Sequence, residues 1–113
     1  MLLIENARLY APDGVELGEM SDKFSGKIYF NAVSGKPSAA MVAFAVYETS
    51  ADSSKLAAIE CSTVTFEGAF DKSFNVTVPD FSPQKDYKIK AFVWDVESSL
   101  LSPYFCKSFE FET

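Results

Sequence analysis

Apolar and polar residues alternate over most of this chain, and the alternation is clearest from Tyr87 to Asp95, Y-K-I-K-A-F-V-W-D. Tyr87, Ile89, Ala91 and Val93 fall on one side; Lys88, Lys90, Phe92 and Trp94 fall on the other. A period of two is that of a pleated strand, whose successive side chains point to opposite faces. Pro83 upstream and Ser98 with Ser99 downstream bound the run at strand length. The Tyr87 side is expected to be buried. The other side begins with two lysines and ends in Phe92 and Trp94. Aromatics on an outward face are either capped by another part of the chain or offered to a partner.

The remaining segments follow the same rhythm. Leu2 to Tyr10 reads as a first strand, followed by a turn at Pro12-Asp13-Gly14. Val15 to Met20 reads as a second, short extended piece. Phe24 to Val33 alternates, with Phe24, Ile28, Phe30 and Ala32 inward and Lys27, Tyr29 and Asn31 outward. Ser34-Gly35-Lys36-Pro37 turns the chain. Ala39 to Glu48 is apolar on both sides, with Val42, Phe44 and Val46 on one and Met41, Ala43, Ala45 and Tyr47 on the other. That suits a middle strand whose outer side is covered or used. After a polar turn, Ser50 to Ser54, comes a strand from Leu56 to Ser62, extended after a bend by Thr63 to Phe66. Gly68 breaks the chain before Phe70 to Val78, with Phe70, Phe74, Val76 and Val78 inward. A long connection around Pro79 and Pro83 leads to the 87–95 strand. Tyr104 to Glu112 closes the fold with Phe105, Phe109 and Phe111 inward. No segment shows a helical period. About seven short strands at even spacing predict an all-β, antiparallel two-sheet Greek-key sandwich, and residues 1–113 form a single unit. In such a fold Tyr87 is either a tyrosine corner, its hydroxyl turned back onto nearby backbone, or an ordinary half-buried tyrosine.

Composition narrows the chemistry. Apolar residues make up 48% and aromatics 15%, with 11 Phe and 5 Tyr, which excludes a disordered acidic chain. The net charge of −6 and the lack of a basic cluster exclude a nucleic-acid groove. No apolar run is long enough to span a bilayer, and the first ten residues do not form a signal peptide. The chain has no histidine, so triads built on one are excluded. Its 16 acids are scattered, and no carboxylate pair can be singled out for glycoside hydrolysis. Asp13, Glu16, Glu19 and Asp22 lie close in sequence but match no calcium-loop spacing, and an acidic solvated loop is the expectation. No cofactor or metal is called for. Cys61 and Cys106 stand outside any zinc or redox motif. Bridged, they would close a loop of about 45 residues, worth roughly 4 kcal/mol. Unbridged and buried is the reading preferred, because a chain of this size needs no staple.

Three stretches carry a resemblance. They are G-K-I-Y-F-N-A at 26–32, M-V-A-F-A-V-Y-E at 41–48 with K-L-A-A-I after it, and Y-K-I-K-A-F-V-W-D at 87–95 with S-S-L-L-S-P after it. Together they resemble an accessory module found, often in tandem, in extracellular and cell-wall proteins of Firmicutes. Those modules look like fibronectin-III-like or immunoglobulin-like sandwiches and accompany surface enzymes as non-catalytic parts. The resemblance implies a module of a larger secreted or surface-attached protein, with no chemistry of its own. It carries over no binding residue. This chain departs from the pattern at Trp94-Asp95-Val96-Glu97, where the family has W-D-S, and in its two cysteines.

Function then rests on one face. In an immunoglobulin-like sandwich the 41–48, 87–95 and last strands share a sheet. Met41, Ala43, Ala45 and Tyr47 would lie beside Phe92 and Trp94, with Tyr104 nearby. Three uses are open: cover by the chain's own first strand or 97–103 loop, contact with a neighbouring module, or stacking of sugar rings. A non-catalytic role, spacing or docking neighbouring domains, is the expectation. Carbohydrate binding through Trp94, Phe92, Tyr47 and Tyr104 is the alternative.

Overall fold

The computed structural model describes residues 3–31, 38–49, 54–66, 70–95 and 105–112. Seven strands make up the fold: β1 (Leu3–Tyr10), β2 (Lys23–Asn31), β3 (Ser38–Glu48), β4 (Lys55–Phe66), β5 (Phe70–Thr77), β6 (Tyr87–Asp95) and β7 (Phe105–Phe111). They form two sheets, a three-stranded one in the order β1-β2-β5 and a four-stranded one in the order β4-β3-β6-β7. Every pairing is antiparallel. The chain changes sheet between β2 and β3, between β4 and β5, and between β5 and β6. The β-sandwich expected from the alternation is the fold observed, and no helix occurs among the described residues.

The inward sets of the two sheets meet as the core. Ala7, Leu9, Phe24, Ile28, Phe74 and Val76 come from the first sheet. Val42, Phe44, Val46, Tyr87, Ile89, Ala91 and Val93 come from the second. Phe44 is wholly buried and lies 5.7 Å from the Phe74 ring, centroid to centroid. Its ring also lies over the backbone of Gly26, which sits in register between Leu9 and Phe74. A Cβ at Gly26 would stand 2.6 Å from the ring's Cδ1 and Cζ atoms. This strand position therefore needs glycine for space, where elsewhere in a strand glycine only weakens packing.

Tyr87 begins β6 as a tyrosine corner. Its hydroxyl accepts a hydrogen bond from the Ser82 amide at 3.0 Å, and Phe81 stacks on its ring at 5.4 Å. The side chain is 2% exposed. The connection between β5 and β6 is tied at both ends, by the Val78 amide on the Asp22 carbonyl and the Thr49 amide on the Asp86 carbonyl. Asp80 in this connection adopts φ 56°, a left-handed conformation that a short polar side chain tolerates better than most.

The edge strand β7 carries an inward charge. Lys107 pairs with Ala91, a core position, yet its ammonium reaches across the open side of the sandwich to Asn6 Oδ1 at 2.9 Å and the Ala7 carbonyl at 3.1 Å. Phe109 lies beneath the ammonium, 5.0 Å away. An inward lysine at a sheet edge discourages a further strand from adding there.

The short extended piece at Val15 to Met20 stays outside the seven strands, and two other expectations are corrected. Gly14, at φ 90°, closes a tight turn in which its amide bonds the Ala11 carbonyl, and only a single bridge, Tyr10 to Glu16, follows. Leu17 and Met20 instead drop their side chains against the core. The expected bend between Ser62 and Thr63 is absent, because β4 runs unbroken; the irregularity lies at Ala57, an extra residue between the pairs Val46–Ala58 and Tyr47–Leu56. Cys61 and Cys106 are free thiols but exposed, not buried. They occupy the two edges of one row, Cys61–Ala43–Phe92–Cys106, three strand spacings or roughly 14 Å apart, too far for a bridge. The turns at 34–37 and around Gly68, the inward placement expected for Phe30, Ala32, Phe70 and Phe105, and the 97–103 loop lie outside what is described.

Candidate functional site

The face singled out from the sequence is the outer side of the four-stranded sheet. The register lays it out in rows: Thr63–Met41–Trp94, then Cys61–Ala43–Phe92–Cys106, then Ile59–Ala45–Lys90–Ser108, then Leu56–Tyr47–Lys88–Glu110. As expected, β3, β6 and β7 share this sheet. The two alanines are not an accessible flat platform: Ala43 is 2% and Ala45 1% exposed, a floor sheltered by taller neighbours. The exposed apolar atoms belong instead to Met41, Leu56 and Ile59. Phe92 is half-buried, and so is Tyr47, with the Lys90 ammonium 5.4 Å from its ring centre.

Of the four residues named from the sequence, the structure describes Phe92 and Tyr47 with their side chains and Trp94 by its backbone. Trp94 is placed by its backbone opposite Met41, one row from Phe92; its side chain, and Tyr104 altogether, lie outside what is described. Tyr47 lies three rows from Trp94. Six residues of strand separate Met41 from Tyr47, about 20 Å, which exceeds the span of one sugar ring. Among the described positions of the set Phe92 and Trp94 are neighbours, and Tyr47 belongs to a more charged end where Lys88 pairs with Glu110 at 3.3 Å.

No protein-family model and no curated protein matches this chain.

Leu56 and Ile59 were missed by the sequence reading. The signal was there, an apolar residue on either side of Ala57-Ala58, but alternation alone puts the two on opposite faces. The other sheet holds a second feature that the sequence did not reveal. On its outer side the hydroxyls of Tyr10 and Tyr29 are 2.7 Å apart, with the Lys27 ammonium 5.3 Å from the Tyr29 ring. The Tyr10 phenol is held above its ordinary pKa, first by the hydrogen bond with Tyr29 and then by partial burial. A folded-state pKa above the unfolded one means this contribution to stability is present below the unfolded value and is lost as pH rises through the folded one. In an alkaline absorbance titration, Tyr29→Phe should move the Tyr10 ionisation to lower pH; an unchanged curve would dissolve the link between the two hydroxyls.

The acidic loop offers no cation cage. Asp13 Oδ1 accepts the Val15 amide at 3.0 Å, and Glu16 faces Arg8 at 3.7 Å. Among the described residues no three acidic or cysteine side chains come together. A recess of about 520 Å³ at one end of the sandwich is lined by Glu19, Phe81, Lys85, Glu110 and Phe111, among others. Its lysine is engaged, 3.3 Å from Glu48, and nothing in it pairs a nucleophile with a base.

Proposed function

We propose that this chain is a non-catalytic interaction module of a secreted or surface-attached bacterial protein, of the immunoglobulin-like or fibronectin-III-like kind, which spaces or docks neighbouring domains. The observation that supports it most is the outer face of the β4-β3-β6-β7 sheet. There a sheltered alanine floor is rimmed by Met41, 40% exposed, by Phe92 and by the Trp94 position. A relief of small residues between large apolar ones suits a packed protein contact better than a polar, hydrogen-bonding sugar site. The strand order, the tyrosine corner and the resemblance of the three sequence stretches to Firmicutes accessory modules point the same way. So does the absence of histidine and of any converging acids among the described residues.

Hydroxyl-radical footprinting of Met41 tests the reading. Its thioether should oxidise readily in this chain alone and several-fold more slowly in the full-length product of its open reading frame. Equal oxidation in the two would remove the docking role. Affinity electrophoresis on plant and cell-wall polysaccharides addresses the rival. Retardation that vanishes in Trp94→Ala, with the fold intact, would replace docking with carbohydrate recognition at Trp94 and Phe92.

A further inference from the structure

Strand β4 is an edge of its sheet, and among the described residues only β3 pairs with it. It runs for 12 residues without a proline. Long, uncovered edges of this kind recruit other strands unless something blunts them. On β7 an inward lysine does so, its charge satisfied within the chain by Asn6 and the Ala7 carbonyl; β4 has an extra residue at Ala57 and the inner-side charges Lys55 and Glu60, and among the described residues these two charges have no such partner. Leu56 and Ile59 are 50% and 54% exposed, and Glu60 and Ser62, on the side toward the other sheet, are exposed as well.

The extra residue at Ala57 gives this edge a symmetry. Leu56 pairs with Tyr47 and Ile59 with Ala45, so both lie on the outer face. Ala57 and Ala58 both pack against the core. Lys55 and Glu60 pair with Glu48 and Phe44, so both lie on the inner side. Read outward from the two alanines, K-L-A-A-I-E gives a large apolar residue and then a charge in each direction, at matching faces, with the charges opposite in sign. Among the described residues neither Lys55 nor Glu60 has an ion-pair partner within the chain.

We infer that β4 is a self-association edge, and that its occupant is β4 of a second copy of this chain, antiparallel, about a two-fold axis at Ala57-Ala58. In that register Lys55 faces Glu60 of the second copy and Leu56 faces its Ile59, and each contact occurs twice. Cross-strand pairs of opposite charge and of large apolar residues are the stabilising ones. An unrelated strand could use the free backbone groups, but the sign-inverting pattern makes this edge complementary to a second copy of itself. The two four-stranded sheets would become one continuous sheet, with the docking row at Met41 and Phe92 left free on each copy.

Sedimentation velocity from micromolar to millimolar concentration tests this. The unaltered chain should dimerise. Lys55→Glu or Glu60→Lys alone should weaken dimerisation roughly 10- to 100-fold by setting like charges opposite each other twice. The Lys55→Glu/Glu60→Lys double variant should recover it. These are exposed side chains, and circular dichroism should show each variant folded. A register-specific check uses Ser54→Cys in a Cys106→Ser background. Position 54 faces Cys61 of the second copy, and oxidised glutathione should join the two thiols as an intermolecular disulfide, itself reduced to glutathione. A monomer at all concentrations overturns the inference. So does a dimer that ignores both single reversals and gives no cross-link at position 54. Neither result bears on Met41 footprinting, so the docking role stands or falls separately.

Discussion

Gly26→Ala should destabilise the sandwich by about 2–3 kcal/mol, read as a lowered urea midpoint at unchanged slope. The sign is the informative part. Alanine in place of a strand glycine ordinarily gains stability, because it restricts the unfolded chain. Here the added methyl meets the Phe44 ring, whose Cδ1 and Cζ would stand 2.6 Å away. Phe44 is wholly buried against Phe74 and has nowhere to retreat. Interiors are close-packed, so either the ring leaves its rotamer or the two sheets separate locally. Phe44→Leu supplies the second arm. By itself it leaves a cavity and costs on the order of 1–2 kcal/mol. Combined with Gly26→Ala it should cost less than the sum of the two, with a coupling of about 1 kcal/mol or more. Strict additivity would show that the ring and the bare Cα do not oppose each other across the core.

That contact also marks how far the sequence could be read. Strand β6 was legible to the residue, because its two faces differ sharply and Pro83 and the serines bound it. The fold class followed from the same alternation repeated along the chain. Gly26 was not legible as a packing position: in G-K-I-Y-F-N-A it looks like a weak point of β2, and only the opposing sheet reveals the ring above it. Val15 to Met20 was legible as a short extended piece, but not that it drops Leu17 and Met20 onto the core. In β4 the failure has two causes. The extra residue at Ala57 shifts the phase of alternation, and the sheet opposite does not cover Glu60 and Ser62, so no apolar residue is needed there. The exposure of both cysteines has the same origin. Small residues in strands are usually covered, but Cys61 and Cys106 fall on edge strands with their side chains on the outer face. The candidate site was legible as a face and not as a set of contacts. Sequence gave the side on which Phe92 and Trp94 lie; register was needed to place Tyr47 three rows away.

The second large effect is expected at Tyr87, and two substitutions separate its parts. Tyr87→Leu removes most of a side chain that is 2% exposed, leaves the Phe81 ring without its stacking partner at 5.4 Å and strands the Ser82 amide. A loss of about 3–4 kcal/mol follows from the cavity and the unmade hydrogen bond together, a large share of the 5–15 kcal/mol that holds a domain of this size. Tyr87→Phe keeps the ring and deletes only the acceptor. Ser82 is half-buried, so its amide recovers part of the bond from water, and the cost should be about 1–1.5 kcal/mol. The location of the damage matters as much as its size. The hydroxyl holds the connection where the chain crosses from β5 to β6, beside the left-handed Asp80. Native-state hydrogen exchange in Tyr87→Phe should therefore show residues 79–86 opening more readily, with the centre of β3 changed only by the global loss. Exchange that quickens equally everywhere would reduce Tyr87 to a core aromatic, and the corner would have no separate part in joining the sheets.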